Sequence, residues 1–462
     1  MKISQARTIA FDVLLRVARQ NAYADDALRA ELNKTVKAED AGLATELTFG
    51  VLRWQRLLDF LTERYLKKPA STVDIEVRIA LRMGLYQLLF LDRVPARAAV
   101  HESVELVKRA RKRSAATFVN AILRKASKDP AFSGDSHAEA LATIVSNEIP
   151  LADQLGIRFS HPTWMVERWI RNYGEERTHN LLETNNCAPA LSGYLLDPQR
   201  AEETKLSLQQ TGTRILPGKF LRDSWIFDGG NPGAGQAVRQ SWVAIQDEAS
   251  QAVAHLVAAE TGDSVLDLCA APGGKTLMLA RAVGPQGHVI AADLHEHRVR
   301  ATRERLESAG VRNVEMIALD GSQPLPFEQR FDRILVDVPC SGTGTLARHP
   351  EIRWKVLPGD LSDLHARQAA LLRNALPHLA PGGRLVYSTC SLEPEENELV
   401  VREVLDALGA SFQIADPRPV VETVLRDMLS VASVVSREHF FRTFPPEHGT
   451  DGFFAAVIER QR

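Results

Sequence analysis

No window of this 462-residue chain approaches the about 18 uninterrupted apolar residues of a membrane-spanning helix, so nothing in it calls for a bilayer. A signal peptide is not expected either, because Arg7, Asp12 and Arg16 stand where its apolar run would lie. Cysteine is scarce: the four thiols, Cys187, Cys269, Cys340 and Cys390, are too scattered for a disulfide framework, and no CxxC pair suggests zinc. A reducing cytoplasm, which keeps thiols usable, is the expected location. Charge of one sign is not in excess. The formal net charge of −2 gives no general attraction for nucleic acid, and any basic surface must be local. Internal repeats and low-complexity tracts are lacking as well. What remains is a globular composition, 45% apolar and 25% charged, in a chain long enough for two or three domains.

Residues 1–145 carry helical spacing almost throughout. Ile9, Val13, Leu14 and Val17 make one apolar stripe; Ile79, Met83, Tyr86, Leu89 and Phe90 make another, and Pro69, Pro95 and Pro130 punctuate the segments. An all-α bundle is expected. Its informative piece is Leu106–Lys128, with eight Lys or Arg and no acid, a local excess suited to phosphates or to a solvated helix face. Residues 146–245 mix a Trp-bearing helix, HPTWMVERWI (His161–Ile170), a strand, LSGYLLD (Leu191–Asp197), and a loop, DGGNPGAG (Asp228–Gly235), as in a small α+β bridging subdomain. Trp164, Trp169 and Trp225 could stack on bases, but core positions are the plainer expectation.

Residues 246–462 change to alternating strands and helices. The strand-like runs are SVLDLC (264–269), HVIAAD (288–293), VEMIALD (314–320), RILVDV (333–338) and RLVYST (384–389). Helical stretches separate them, which implies an α/β fold with a doubly wound, mainly parallel sheet. Ligands of such sheets bind beyond the carboxyl ends of the strands, where Asp293, Asp320, Asp337, Cys340 and Cys390 stand.

The first turn, Ala270, Ala271, Pro272, Gly273, Gly274, Lys275 and Thr276, satisfies neither the Walker pattern nor GxGxxG. It still offers glycines at a helix N-terminus, whose amides favour a phosphate or a carboxylate. Asp293, about twenty residues on, suits ribose hydroxyls, and Asp320 suits a purine edge. A ribose, a purine and a carboxylate together describe S-adenosylmethionine.

Two resemblances sharpen this. RVPARAAVHESVELVKRA and FVNAILRK (Arg93–Ala110, Phe118–Lys125) resemble the NusB-like RNA-binding module. AAPGGKT, DVPCSGTGTLARHPEIRW and YSTCSLEPEENE resemble the Sun-family RNA 5-methylcytosine methyltransferases, and WVAIQDEASQ (Trp242–Gln251) and DGFFAAVIE (Asp451–Glu459) agree. The second match runs from about Leu155 to the C-terminus. It implies a Rossmann-like S-adenosylmethionine-dependent methyltransferase sheet, with Ala270–Thr276, Asp293, Asp320 and Asp337 on the cofactor. Joined to the NusB-like module, it implies methylation of a cytosine in 16S rRNA by a monomer, without metal or membrane. The strand near 190–197 departs from the family, which carries an Arg and an Asn where this chain has SGYLLD, so the RNA contacts of the bridge are open. The same chemistry on tRNA, and a non-catalytic RNA-binding assembly factor, are the competing readings.

Cytosine C5 is too weak a nucleophile to take a methyl group directly; a thiolate added to C6 makes C5 an enamine carbon. The thiol must ionise, yet a free cysteine has a pKa of about 8.5, so the site needs positive potential, for which Lys275 is the candidate. The C5 proton must then leave, assisted by a second thiol or a carboxylate. Strand position cannot say which cysteine attacks. DNA cytosine methyltransferases use a Pro-Cys cysteine, whereas the RNA family attacks with the Thr-Cys residue. By that resemblance Cys390 attacks, Cys340 releases and Asp337 holds the cytosine N3/N4 edge. Cys187 and Cys269 are expected as ordinary core cysteines. Arg348, His349, Arg353 and Lys355 could hold phosphates of an unstacked, single-stranded target, or line a solvated loop.

Overall fold

The stripe Ile9, Val13, Leu14 and Val17 is buried along the helix Gln5–Gln20. It packs into one apolar core with Leu47 and Val51 of Ala38–Arg53 and with Ile79, Met83 and Leu89 of Ile75–Phe90. Ala96–Arg109 and Ala116–Ala126 close that bundle through Leu106, Val107, Val119 and Leu123. The computed structural model describes residues 3–34, 36–66, 69–129, 145 and 148–461. The chain forms two units: Met1–Ala188 with Leu346–Val356, and Pro189–Thr345 with Leu357–Arg462. Pro130, one of the expected breakpoints, lies outside the described residues. No described helix is long and apolar enough to cross a membrane.

Residues 146–245 contribute to both units. The helices Leu151–Arg158, Thr163–Tyr173 and Glu175–Asn186 belong to the first. In the second, β1 (Leu191–Leu195), β2 (Arg214–Pro217), β3 (Ser224–Asp228) and β4 (Val243–Ile245) form an antiparallel sheet in the order β2-β3-β1-β4. Trp169 is a fully buried core residue, and the partly buried Trp225 packs against Phe227 and Val243.

The large sheet of the second unit has eight strands: β5 (Ser264–Leu268), β6 (His288–Asp293), β7 (Val314–Ala318), β8 (Phe331–Asp337), β9 (Leu379–Thr389), β10 (Phe412–Ile414), β11 (Phe440–Arg442) and β12 (Phe454–Arg460). Their order is β10-β12-β9-β8-β5-β6-β7, with β11 paired to β12. The pairings from β9 through β8, β5 and β6 to β7 are parallel, and those of β12 are antiparallel. Strand residues alternate between two cores: Val265, Val289, Ala291, Leu335 and Val386 face one, and Leu266, Ile290, Ile334, Val336 and Leu385 the other. Burial on both faces explains why these strands read as continuous apolar runs. The chain builds β5, β6 and β7 outward, then returns to lay β8 on the far side of β5. This reversal makes the crevice beyond the ends of β5 and β8 the place for a ligand.

Candidate functional site

Of the residues the sequence placed at strand ends, Asp337, Cys340 and Cys390 meet at that edge around Lys275. Cys340 lies three residues past β8, and Cys390 directly follows β9. Parallel pairing of β8 and β9 sets Asp337 opposite Ser388. The two thiols meet, with Cys340 Sγ 3.2 Å from Cys390 Sγ, and both residues are partly exposed. Ser388 Oγ donates to Asp337 Oδ1 at 2.7 Å, and Lys275 Nζ donates to Asp337 Oδ2 at 2.7 Å. Gly344, in the loop after Cys340, donates its amide to Cys390 O at 3.0 Å and accepts from Gly452 N at 2.8 Å. A Cβ on Gly344 would stand 2.1 Å from Gly452 O, so only glycine lets these backbones approach.

The charges are arranged unevenly around the sulfurs. Burial draws the pKa of Lys275 down, but Asp337 and the neighbouring Cys390 more than reverse this, and the ammonium stays charged. The Cys340 thiol is pushed well above the ordinary thiol range by its hydrogen bond to Cys390, by burial, and by the charges of Cys390 and Glu396. Cys269 is only partly buried; its pKa is raised by burial first and then by Asp337, Asp293 and Asp267, which disfavours its thiolate. Cys187 differs from expectation: it is exposed where the helix Glu175–Asn186 ends, with its thiol against Glu183 O at 3.5 Å.

The glycine turn joins β5 to the helix Gly274–Val283. Ala270 N bonds Ala292 O at 2.8 Å, Ala271 N reaches Asp293 Oδ2 at 3.3 Å, and Gly273 N closes on Ala270 O at 2.8 Å. Pro272 is exposed between them. Gly273 has φ of 90°, and a Cβ there would meet Thr302 Cγ2 at 2.6 Å. Asp293 ends β6 nearly buried, taking His295 N at 3.1 Å and the Arg298 guanidinium at 3.2 Å. Asp320 lies two residues beyond β7, exposed, with Oδ1 accepting from Ser322 N and Oγ. A turn that admits no side chain at Gly273, followed by a carboxylate closing the next strand, fits S-adenosylmethionine, the cofactor of this kind of methyltransferase. Ala270–Thr276 follow β5, Asp293 and Asp337 end β6 and β8, and Asp320 stands two residues beyond β7.

Several residues of the site went unnoticed in the sequence. Asp267, on β5, is fully buried and accepts from Thr276 Oγ1 at 2.6 Å, while Oδ1 has no partner among the described residues; burial lifts its pKa to about 7. Glu396 is completely buried beside both cysteine turns. In the run EPEENE nothing marks it off from Glu393, Glu395 or Glu398.

The expected phosphate contacts after Cys340 need correction. Leu346–Val356 belongs to the helical unit, and Arg353 is fully buried there. Its guanidinium donates to Arg53 O, Ser160 O, Asn185 O, Leu346 O and Asn186 Oδ1 at 2.9–3.4 Å. Burial first, then the neighbouring Arg53, lowers its pKa to about 9. Lys355 Nζ donates to Asn21 O and Ala22 O, and burial, chiefly, lowers the pKa of His349. Neither a phosphate clamp nor a solvated loop describes Arg353 or Lys355. In the basic stretch, Arg109 pairs with Asp12 and Lys112 with Asp74. Arg124, Lys125 and Lys128 instead line an open concavity of about 440 Å³ with Tyr65, Ala121 and Asp129.

Two family models match: 16S rRNA methyltransferase RsmB/F over residues 254–459, and the NusB family over residues 4–128. A probable ribosomal RNA small subunit methyltransferase B of Synechocystis is 32% identical, covering 98% of this chain and 99% of the relative. The Bacillus subtilis protein of the same description is 30% identical over the full length of both, and an Escherichia coli relative is 32% identical over 86% of this chain and 89% of its own. Among solved structures, PH0851 superposes over 100% of both chains with a TM-score of 0.81 at 22% identity. A methyltransferase homologue from Pyrococcus horikoshii reaches 0.55 at 27% identity, over 68% of this chain and 99% of its own. The chain belongs to the RsmB/F family of ribosomal RNA small subunit methyltransferases.

Proposed function

We propose that this protein, acting as a monomer, methylates carbon 5 of a cytosine in 16S rRNA through a covalent cysteine–cytosine adduct. The observation that carries the reading is the pair of sulfurs at 3.2 Å beside the Lys275–Asp337 ion pair. A merely structural cysteine needs neither a second thiol nor a buried ammonium. Bound S-adenosylmethionine supplies a methyl group on an electrophilic sulfonium. Lys275 favours the thiolate of Cys390, whose sulfur bonds to carbon 6 and sends an electron pair to carbon 5. Asp337, held by Ser388 and Lys275, presents a carboxylate to the N3/N4 edge of the base. Once carbon 5 is methylated, Cys340, having first passed its own proton to water, takes the carbon-5 proton as a thiolate; the ring double bond re-forms as the Cys390 Sγ–carbon 6 bond breaks and Cys390 leaves as a thiolate. The 16S assignment draws on the relatives' descriptions, and the basic concavity of the helical unit suits an RNA backbone.

Bisulfite sequencing of total RNA from a strain lacking the gene tests this. One 16S rRNA position should lose its methylcytosine and regain it on complementation. Loss from a tRNA with 16S rRNA unchanged would replace the substrate, and no lost methylcytosine in any RNA would remove the activity.

A further inference from the structure

Glu396 is a fully buried carboxylate, and among the described residues no cation pairs with it. Its oxygens are filled by neutral donors from both cysteine turns. Oε1 accepts from Ser341 N at 2.8 Å and Gln368 Nε2 at 2.9 Å; Oε2 accepts from Ser341 Oγ and from Ser391 Oγ at 2.5 Å. Ser341 directly follows Cys340, and Ser391 directly follows Cys390. The same Gln368 nitrogen also donates to Pro339 O at 3.0 Å, so the chain is held on both sides of Cys340. The carboxylate's own backbone is fixed by Tyr387 Oη donating to Glu396 O at 2.6 Å. A carboxylate is an acceptor on every lone pair, which lets it take two hydroxyls, an amide N–H and a side-chain amide at once. Burying an anion without a counter-charge is costly, so packing alone gives no reason for one here.

We infer that Glu396 is the positioning residue of the thiol pair: its carboxylate hangs both cysteine turns from one point and sets a negative charge beside Cys340. The inference rests on the roles proposed for the two cysteines. The charged and titratable groups around them are uneven in the required sense. Lys275, with Asp337, lies on the Cys390 side. Glu396 and the hydroxyl of Tyr387 lie on the Cys340 side. A negative charge near Cys340 makes that sulfur, once ionised, the better base for the carbon-5 proton.

Peptide-resolved alkylation by iodoacetamide across pH, on the full chain without RNA, reads this directly. In the native protein Cys390 should react at lower pH than Cys340. Glu396→Gln, which keeps the shape and removes the charge, should bring Cys340 forward, with at least about a threefold faster reaction near neutral pH. In methylation assays the same variant should lose about tenfold or more in kcat, hold KM for RNA within about twofold, and accumulate the protein–RNA adduct. An unchanged Cys340 profile in folded Glu396→Gln overturns the inference. If that variant fails to fold, Ser341→Ala and Ser391→Ala decide: each keeps the charge and cuts one tether, so kcat should fall with KM unmoved, and native kcat in both overturns the inference. Thiol reactivity is measured without substrate, so failure of rRNA methylation by the native protein would count against the proposed function and leave the alkylation order as a separate result.

Discussion

Cys340 and Cys390 bring their sulfurs to 3.2 Å from the ends of adjacent parallel strands, fifty residues apart in the chain. That distance is a hydrogen bond between thiols. Once one of them ionises, a single proton lies between two sulfurs.

Substituting the cysteines should therefore give opposite phenotypes. Cys390→Ala is expected to reduce methyl transfer to background and to form no adduct. Cys340→Ala is expected to cut turnover by about a hundredfold or more while a covalent protein–RNA complex accumulates, visible as a denaturation-resistant shift on a gel. The reverse pattern would exchange the two roles.

Lys275 is next to be tested, because its ammonium is the positive charge that the Cys390 thiolate meets. Lys275→Met should slow alkylation of Cys390 near neutral pH by about tenfold, the effect of one unit in thiol pKa. Methyl transfer should fall at least as far. Alkylation at the native rate would show that the thiolate is stabilised by something else.

The catalytic sheet was largely legible in the sequence, because strands buried on both faces must be apolar throughout. The runs at 264–269, 288–293 and 333–338 became β5, β6 and β8 with small changes at the ends. The helical stripe at Ile9, Val13, Leu14 and Val17 was legible for the same reason. The short strands β2, β4, β10 and β11 were not, since three- and four-residue segments carry no period. Arg353 was misread because a basic residue just past the Pro-Cys turn signals phosphate equally well whether it faces solvent or backbone carbonyls. Only the folded chain distinguishes them. Glu396 was invisible for a related reason: its role depends on two serines that become its neighbours through strand pairing.

The buried Asp267 predicts a pH dependence of stability. Its folded pKa, lifted to about 7 by burial, lies above that of an exposed aspartate, so the folded chain holds this proton more tightly than the unfolded one. The stability it contributes is complete below about pH 4 and is lost as pH rises to about 7. Asp267→Asn removes that loss while keeping an acceptor for Thr276. Relative to the native protein, its stability should improve by about 2 to 3 kcal/mol between about pH 5 and about pH 8, at ~1.4 kcal/mol per pH unit. Urea unfolding at the two pH values measures it, and a difference independent of pH would show that Asp267 stays ionised.

Arg353 carries the last prediction, on the stability of the helical unit. Its guanidinium satisfies four backbone carbonyls and the Asn186 side chain from inside the protein, where water cannot replace it. Arg353→Leu fills the space but leaves those acceptors without donors, each costing about 1 kcal/mol or more, partly offset because a buried charge is also removed. The net expectation is a loss of about 3 kcal/mol in urea unfolding followed by the fluorescence of Trp54 or Trp354, whose indole donates to Leu52 O at 2.8 Å in the same unit. Arg353→Lys should recover only part of it, since a single ammonium cannot span acceptors arranged around a planar fork. A leucine variant as stable as the native protein would mean that the desolvation of the guanidinium outweighs its hydrogen bonds, and that Arg353 is retained for something other than stability.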